Sequence, residues 1–409
     1  MSVEQTGADN TWRKRASESV EHTLAELVRF DSRSSNSNLE VIKYASARAE
    51  AAGLCARLYP YVDERGVKKF NMVAVAPRET TDDAEIELAL VGHTDTVPFD
   101  PAWTEALTLT ETDGNLYGRG ACDTKGFIAA SLAAIEGTDL SQLRRPLALI
   151  LTADEEIGCL GAKRLAEAAP FRVRQAIVGE PTSLQPMRAG KGYCLAEVML
   201  RGREGHSAYP ALGASAIMRA ARLVTRIEAI ATQLQQETHD AFDPPYTTIN
   251  VGLIDGGTAK NIIAGQCRFT LEWRPVPGQP AIHVINIIRA EVERLRAADA
   301  DFDCEIDIIR LDESNETAAS SPLVRAMEEA TGKSAGTVAF GTEAPQLNSL
   351  GAHTVVFGPG NIRVAHRTGE FVPITQLHDC TRILKEMIQR FCVPDDRPPT
   401  MDDRTADRP

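Results

Sequence analysis

The sequence lacks the long apolar segments that direct a protein into or across a membrane. The first residues, Met1 to Lys14, contain no apolar core of the kind found in a secretory signal. No apolar run elsewhere approaches the roughly 18 residues of a membrane-spanning helix. We therefore expect a cytoplasmic protein that has no membrane partner.

Paired cysteines are also missing, although the chain contains 8 cysteines in 409 residues. They are scattered, and no C-x-x-C pair occurs among them. This pattern argues against a disulfide framework and against a cysteine-based zinc site, and it is typical of reduced thiols in the cytoplasm. We interpret Cys122 and Cys159, which lie near the motifs described below, as small packing residues.

Positive charge is scarce. The chain has 44 lysines and arginines against 57 aspartates and glutamates, a net charge of −13. This balance argues against nucleic acid or an anionic membrane surface as a general partner. Hydrophobic residues make up 43% of the chain and charged residues 25%, the mix of a globular protein with ample core material. The length predicts about two or three domains.

Strands and helices alternate over the first part of the chain. Helical periodicity predicts helices at 20–30, 126–136 and 161–169, and another that Asn38 caps and Gly53 ends. Continuous apolar runs predict strands at 56–61, 70–76, 86–91, 147–151 and 176–178. Because parallel strands buried on both faces have this appearance, we predict an α/β fold with a central, mainly parallel sheet flanked by helices.

The pattern changes after about residue 185. Strands at 192–201, 246–251, 267–274 and 302–309, with long helices at 214–236 and 281–298, predict a compact α+β domain. We place this domain at 186–310, inserted into a first domain that comprises 1–185 and 311–395, with strands at 338–340 and 353–357. Residues 396–409 are rich in Pro, Asp and Arg, and we expect them to be disordered.

The apolar strand at 86–91 leads directly into a histidine and a carboxylate. His93 and Asp95 are two residues apart, so on extended backbone their side chains point the same way. One interpretation is a metal ligand with the carboxylate that orients it, since ligating imidazoles usually give their other N–H to an oxygen. The other is a strand-end histidine that is simply hydrogen-bonded to a nearby aspartate.

Further acids and a histidine follow the other predicted strands. In open α/β sheets such residues meet beyond the carboxyl ends of the strands. Two histidines with several acids suit a divalent ion of the zinc, manganese or cobalt type, and five ligands would serve two ions that share one carboxylate. Neighbouring glutamates on extended backbone point apart, so one can bind metal while the other acts as a general base. The candidates that follow strands, besides His93, are Glu155, Glu156, Glu180 and His366. Asp123, which lies just before a helix, is a further candidate.

Each candidate also has an ordinary structural interpretation. Adjacent glutamates such as Glu155 and Glu156 usually form part of a solvated surface, and Glu180 in Gly-Glu-Pro is typical of a turn. His366 lies in a polar loop, and Asp123 could be only an anion at the start of a helix. Their joint placement at the ends of strands favours a metal-hydrolase site.

Motifs along nearly the whole chain resemble the M20 family of co-catalytic metallohydrolases, in particular its branch that deacetylates acetylornithine. They read G-H-T-D-T-V-P at 92–98, L-Y-G-R-G at 116–120, T-A-D-E-E at 152–156, G-E-P-T at 179–182, G-H-S-A at 205–208, W-R-P at 273–275, G-T-E-A-P at 341–345 and F-G-P-G at 357–360.

The resemblance implies the roles of the site residues. His93, Asp123 and Glu180 would hold one metal and Glu156 and His366 the second, with Asp123 bridging the two. Asp95 would orient His93, Glu155 would be the general base, and the Asp123–Thr124 peptide would be cis. The metals would be zinc, replaceable by cobalt. His206 would stabilise the oxyanion, and Asn261, Arg274, Thr342 and Glu343 would bind substrate.

The resemblance also implies a function. We expect hydrolysis of the acetyl amide of N2-acetyl-L-ornithine to L-ornithine and acetate, a step of arginine biosynthesis. The substrate would be a small N-acyl amino acid, and the inserted domain at 186–310 would be a lid and the contact of a homodimer. Alternatives are desuccinylation of succinyl-diaminopimelate, cleavage of peptides by a carboxypeptidase or dipeptidase, or a non-catalytic metal-binding protein.

Overall fold

The structure, a computed structural model, describes residues 19–77, 85–168 and 171–393. The expected disordered tail, 396–409, lies outside the described residues. The chain divides into two compact units. The first unit takes the chain up to Arg188, Thr317–Ala335 and the chain from Thr342 onward, and the second takes Ala189–Glu316 and Gly336–Gly341. No described helix has the length and apolar character that crossing a membrane requires.

Helices and strands follow one another in the order below, apart from three short 3-10 turns. They are α1 (Val20–Arg29), α2 (Leu39–Ala52), β1 (Cys55–Val62), β2 (Lys68–Ala76), β3 (Glu85–His93), β4 (Thr110–Thr112), β5 (Asn115–Tyr117), α3 (Lys125–Glu136), β6 (Leu147–Thr152), α4 (Leu160–Ala168), β7 (Arg172–Gly179), β8 (Met187–Gly190), β9 (Tyr193–Arg201), β10 (Gly205–His206), α5 (Ala216–Leu234), β11 (Thr248–Gly256), β12 (Ile262–Ile263), β13 (Gln266–Arg274), α6 (His283–Ala298), β14 (Asp303–Asp312), β15 (Asn315–Glu316), α7 (Pro322–Thr331), β16 (Gly336–Val338), α8 (Ala344–Ser349), β17 (His353–Phe357), β18 (Phe371–Pro373) and α9 (Ile374–Cys392).

The sheet of the first unit confirms the predicted α/β architecture. Its strands lie in the order β1-β2-β6-β3-β7-β17. The β6–β3, β3–β7 and β7–β17 pairs are parallel, whereas β1–β2 and β2–β6 are antiparallel. Both faces of the central strands are buried, which explains why their sequences are continuously apolar.

Helices cover both faces of this sheet. On β6, Leu149 packs into one apolar cluster with side chains of α1, α2, α3 and α9. The next residue, Ile150, packs into a second cluster with Leu165 of α4 and Leu347 of α8. Because successive strand residues point to opposite faces, a fully apolar strand supplies both cores at once.

The second unit contains an antiparallel sheet in the order β11-β13-β9-β14. Buried residues alternate with half-exposed ones along β9 and β13, and the buried ones form one core with α5 and α6. The expected set of four strands and two helices is therefore present. The small β10–β12 pair was not predicted, because each of its strands has only two residues.

The limits of the two units differ from the expected domain limits. The chain returns to the first unit at Thr317, and Gly336–Gly341, which we had expected in the first domain, belongs to the second unit. Hydrogen bonds explain this placement, since the Lys191 N–H donates to the Val338 carbonyl (3.2 Å) and the Arg274 guanidinium to the Ala339 carbonyl (2.9 Å). In place of the expected strand at 338–340, the structure has β16 at Gly336–Val338, two positions earlier.

Asn38 precedes α2 as predicted, and Gly53 follows the helix with a left-handed φ of 113°. The Asn38 side chain, however, makes no capping bond. Its amide binds both the N–H (2.9 Å) and the carbonyl (2.8 Å) of Phe70, and it also donates to the Thr94 hydroxyl (2.8 Å). Phe70 pairs with Pro60 of β1, which has no N–H to donate. Phe70 also lies beyond Met72, which is the last residue of β2 that pairs with β6. Asn38 therefore supplies the partners that the sheet cannot.

We expect Asn38→Ala to lower the free energy of unfolding by about 2–3 kcal/mol, because it leaves two buried backbone groups of Phe70 without partners. Urea unfolding of the metal-free chain would measure this loss. Asn36→Ala is the matched control, because the half-exposed Asn36 side chain makes only long bonds, donating to the Asp31 carbonyl (3.4 Å) and accepting from the Ser35 hydroxyl (3.3 Å). Equal losses in the two variants would contradict the role given to Asn38.

Candidate metal centre

Three neighbouring parallel strands carry the candidate ligands to one edge of the first unit's sheet. His93 is the last residue of β3 and lies opposite Thr152, the last residue of β6. Glu155 and Glu156 follow Thr152 closely, and Glu180 directly follows β7. The local reason is the same in each case, since the apolar residues of each strand give way to polar residues at its carboxyl end.

Asp123 lies between two histidines. Its Oδ1 is 3.1 Å from His93 Nε2, and its Oδ2 is 3.1 Å from His366 Nε2. The same His366 nitrogen is 3.0 Å from Glu156 Oε2. Candidate ligand atoms of His93, Asp123 and Glu156 all lie within 4.8 Å of one another. The Asp123–Thr124 peptide is cis, as expected from the resemblance.

The charges of these groups perturb one another strongly. Hydrogen bonds to Asp123 and Glu156 raise the pKa of His366 to about 10. The two imidazoles hold the pKa of Asp123 well below its usual range, against the opposing effect of burial. Glu180 is buried, and its pKa is raised by burial and then by the negative charges of Asp123 and Glu155. The structure therefore brings the five candidate ligands into one acid-rich cluster, in which His366 is exposed and the other four are buried or half-buried.

Asp95 shapes this cluster in a way that the sequence did not reveal. The His93 Nδ1 is 3.0 Å from the Asp95 backbone carbonyl, whereas the Asp95 carboxylate is 3.7 Å away. That carboxylate instead accepts the backbone N–H groups of Glu155 (3.0 Å) and Glu156 (3.3 Å) and the Ser34 hydroxyl (2.7 Å). Asp95 thus fixes the turn that carries the two glutamates.

Glu155 and Glu156 lie in this turn and not on the extended backbone that we expected, but their side chains still have different partners. Glu156 approaches His366, whereas an oxygen of Glu155 accepts a hydrogen bond from the Cys159 thiol (3.3 Å). Burial is the main cause that raises the pKa of Glu155 to about 8 and that of Glu156 to about 7. Cys159, which we interpreted as a packing residue, also contacts the candidate base.

The candidate substrate residues of the first unit lie beside the cluster but are enclosed. Glu343 is buried, and its carboxylate accepts a hydrogen bond from the Thr152 hydroxyl at 2.5 Å. Burial raises the pKa of Glu343 to about 7, and the charge of His93 opposes this rise. Thr342 is also buried, and its hydroxyl accepts the Ala344 N–H at the start of α8 (3.3 Å).

The remaining three candidates lie in the second unit. His206 is exposed on β10, and its Nδ1 accepts the Ala208 N–H (3.1 Å). The carbonyl of Asn261 accepts the N–H of the residue after His206 (3.1 Å), so these two segments are adjacent. Arg274 donates to Glu272 (2.8 Å) and lies 4.5 Å over the Tyr193 ring.

Two polar residues at the site escaped the sequence analysis. Ser34 binds Asp95, and the fully buried Glu370 binds the backbone N–H of Asp123 (2.9 Å). Neither follows an apolar strand, which was the signal that selected the candidate ligands other than Asp123. The motif at 116–120 offered the nearest clue to Glu370, because its Arg119 donates to that carboxylate at 2.6 Å.

Comparison with known proteins places the chain in a family. The family model described as peptidase family M20/M25/M40 matches residues 89–390. The acetylornithine deacetylase of Myxococcus xanthus is 52% identical over 371 residues, which are 90% of this chain and 97% of that protein. The acetylornithine deacetylase of Proteus mirabilis is 35% identical over 89% of this chain and 92% of its own length.

The chain belongs to peptidase family M20/M25/M40. The family resemblance is thereby confirmed, and membership makes the chain a metal-dependent amidohydrolase. Solved structures share the fold at low identity. A tripeptidase of Staphylococcus aureus has a TM-score of 0.71 and 22% identity, covering 91% of this chain and 97% of its own. An M20 metallo-carboxypeptidase of Sulfolobus solfataricus has a TM-score of 0.69 and 19% identity, covering 91% of this chain and 99% of its own.

The residues at the sheet edge fit the divalent ions that the M20 family implies. Imidazole nitrogens and carboxylate oxygens are the donors that zinc and similar ions accept. Buried acids outnumber the two histidines, and burial raises the pKa of Glu155, Glu156 and Glu180, since their negative charges lack compensation. A divalent ion among them would supply the missing positive charge.

Metal binding should release protons. The raised pKa of His366, about 10, means that this imidazole is protonated in the metal-free chain near neutral pH and must lose its proton to bind metal. We therefore expect zinc affinity to rise between about pH 6 and pH 8 by about tenfold per pH unit for each proton released, and His366 supplies one of these protons. Calorimetry in two buffers of different ionisation enthalpy would count the protons.

The control is His366→Gln, which should release about one proton fewer per chain. An affinity that stays constant with pH in the wild-type chain would contradict the protonated state assigned to His366.

Proposed function

We propose that this chain hydrolyses the acetyl amide of N2-acetyl-L-ornithine to L-ornithine and acetate, a step of arginine biosynthesis. The observation that carries the proposal is the 52% identity to the Myxococcus xanthus acetylornithine deacetylase over 97% of that protein. The geometry of the first unit is consistent with it, because the clustered histidines and carboxylates suit metal-assisted hydrolysis of an amide.

We propose two bound ions, zinc or cobalt. His93, Asp123 and Glu180 would hold one, Glu156 and His366 would hold the other, and Asp123 would bridge them. The support is the position of Asp123, whose two oxygens each face a different histidine at 3.1 Å. When bound, such ions polarise the amide carbonyl and make water a better nucleophile.

Glu155 is the proposed general base. It adjoins Glu156, is nearly fully buried, and has a pKa raised to about 8, which suits a group that takes and returns a proton near neutrality. Glu155 takes a proton from the attacking water, and the new C–O bond forms at the acetyl carbon. The C–N bond then breaks, Glu155 passes the proton to the leaving nitrogen, and acetate remains.

Other residues position these groups or bind the substrate. The Asp95 carboxylate holds the backbone of Glu155 and its carbonyl holds the His93 ring. The proposed roles of His206 at the oxyanion, and of Asn261 and Arg274 at the substrate, rest on the family resemblance. For Thr342 and Glu343, the support is their place beside Thr152 at the end of β6.

A substrate panel tests the proposal. With zinc or cobalt supplied, we expect strong preference for N2-acetyl-L-ornithine over N-succinyl-diaminopimelate and over dipeptides, measured as kcat/KM for release of the free amine. Faster desuccinylation or peptide cleavage would replace the proposed substrate. Absence of turnover on every member of the panel, with metal bound, would favour a non-catalytic binding protein.

Two adjacent glutamates provide matched controls for the same assay. Glu155→Gln should lower kcat by roughly 10²–10⁴-fold while metal stays bound, because it removes only the proton acceptor. Glu156→Gln should instead lower the amount of bound metal, because it removes a ligand. Full activity of Glu155→Gln would exclude its role as the base.

We also propose that the chain forms a homodimer through its second unit. The support is a set of exposed apolar side chains on β11 and α5, namely Ile217, Met218, Leu253 and Ile254. Leu253 is 72% and Met218 67% exposed. In addition, β11 is an edge strand among the described residues, with β13 as its neighbour, and such edges readily accept another chain.

Sedimentation measurements would test this arrangement. We expect the double variant Leu253→Lys with Ile254→Lys to be monomeric at concentrations where the wild-type chain is dimeric, because two charges would be buried at the contact. Ile309→Lys is the matched control, since Ile309 is 57% exposed on β14, the opposite edge of the same sheet. A wild-type monomer, or equal dissociation by both variants, would contradict the proposed interface.

A further inference from the structure

Glu370 is a fully buried carboxylate that contacts four hydrogen-bond donors. One oxygen accepts the backbone N–H groups of Cys122 (2.9 Å) and Asp123 (2.9 Å). The other accepts the Gly120 N–H (3.1 Å) and the Arg119 guanidinium (2.6 Å). A single side chain thus binds the backbone of almost the whole turn that leads into Asp123.

Arg119 balances the charge of Glu370 and extends the connection. Its second nitrogen donates to the Pro98 carbonyl (3.3 Å), in the segment that follows His93 and Asp95, and its guanidinium lies 5.4 Å over the Trp103 ring. A buried carboxylate without such a partner would be strongly destabilising. The pair therefore brings together three segments of the first unit, those that contain His93, Asp123 and Glu370.

The backbone of Glu370 strengthens the same connection. Its carbonyl accepts the Gly118 N–H (3.0 Å), and the next residue, Phe371, begins β18 and pairs with Tyr117 of β5. Glu370 also lies four residues after His366 in the chain. The loop with His366 and the turn with Asp123 are consequently held to each other by both the side chain and the backbone of one residue.

We propose that Glu370 is a positioning residue for the bridging carboxylate. It holds the backbone of Asp123 at the place where Oδ1 faces His93 and Oδ2 faces His366, both at 3.1 Å. Without it, Asp123 would lose the fixed position that lets one carboxylate serve two ions. The inference rests on the proposed metal ligands and is independent of the proposed substrate.

The test is metal binding by the full chain after its metal has been removed. Glu370→Gln keeps the shape of the side chain but loses the charge and replaces one accepting oxygen by an amide that donates. Loss of a residue that orients ligands typically weakens metal binding by roughly 10–100-fold. We expect that loss for zinc in competition titrations, and an altered visible spectrum of the cobalt-loaded chain.

Glu136→Gln is the matched control for lost stability. Glu136 on α3 forms a two-bond ion pair with Arg48 (2.7 Å each), on the same unit but outside the cluster. This variant should lose thermal stability and keep the wild-type zinc affinity and cobalt spectrum. If Glu370→Gln loses stability in the same way and binds zinc as the wild type does, the positioning role is wrong.

Glu370→Asp provides a second variant should the glutamine variant fail to fold. It keeps the charge beside Arg119 but shortens the side chain by one methylene, so the carboxylate recedes from the turn. We expect a weaker form of the same loss of zinc affinity, and wild-type affinity would overturn the proposal. These measurements use no substrate, so a chain that binds zinc normally but ignores acetylornithine would refute only the proposed function.

Discussion

The crowding of buried carboxylates around Asp123 is the constraint on which this site depends. Burial and mutual repulsion raise the pKa of Glu155, Glu156 and Glu180, while two imidazoles lower that of Asp123. A fold gains nothing in stability from collecting like charges in its interior, so such a cluster marks a functional site. Only added positive charge makes the arrangement favourable, and that is what divalent ions supply.

Two further carboxylates hold this unfavourable cluster in place. Asp95 accepts the backbone N–H groups of Glu155 and Glu156, and Glu370 accepts that of Asp123. Both carboxylates bind backbone, so the side chains of the held residues stay free to turn their oxygens toward the centre. The site is thus built in two layers, an inner layer suited to metal and an outer layer that satisfies backbone donors.

The sequence was sufficient for the sheet and for the inner layer, because both follow from local patterns. Apolar runs marked β3, β6, β7 and β17, and the polar residues after them, from His93 to His366, lie in one cluster. The outer layer could not be predicted in this way. Glu370 and Asp123 are 247 positions apart, and no periodicity in a loop indicates where its carboxylate will point. The short helix α8 was missed for a similar reason, since six residues are too few for a helical pattern.

Glu343 links the proposed base to the G-T-E-A-P motif at 341–345. Its carboxylate binds Thr152, which ends β6 three residues before Glu155, and its negative charge contributes to the raised pKa of Glu155. A change at Glu343 would therefore alter the setting of the base as well as any contact with substrate. The proposed base and the proposed substrate-binding segment are thus coupled through one buried carboxylate.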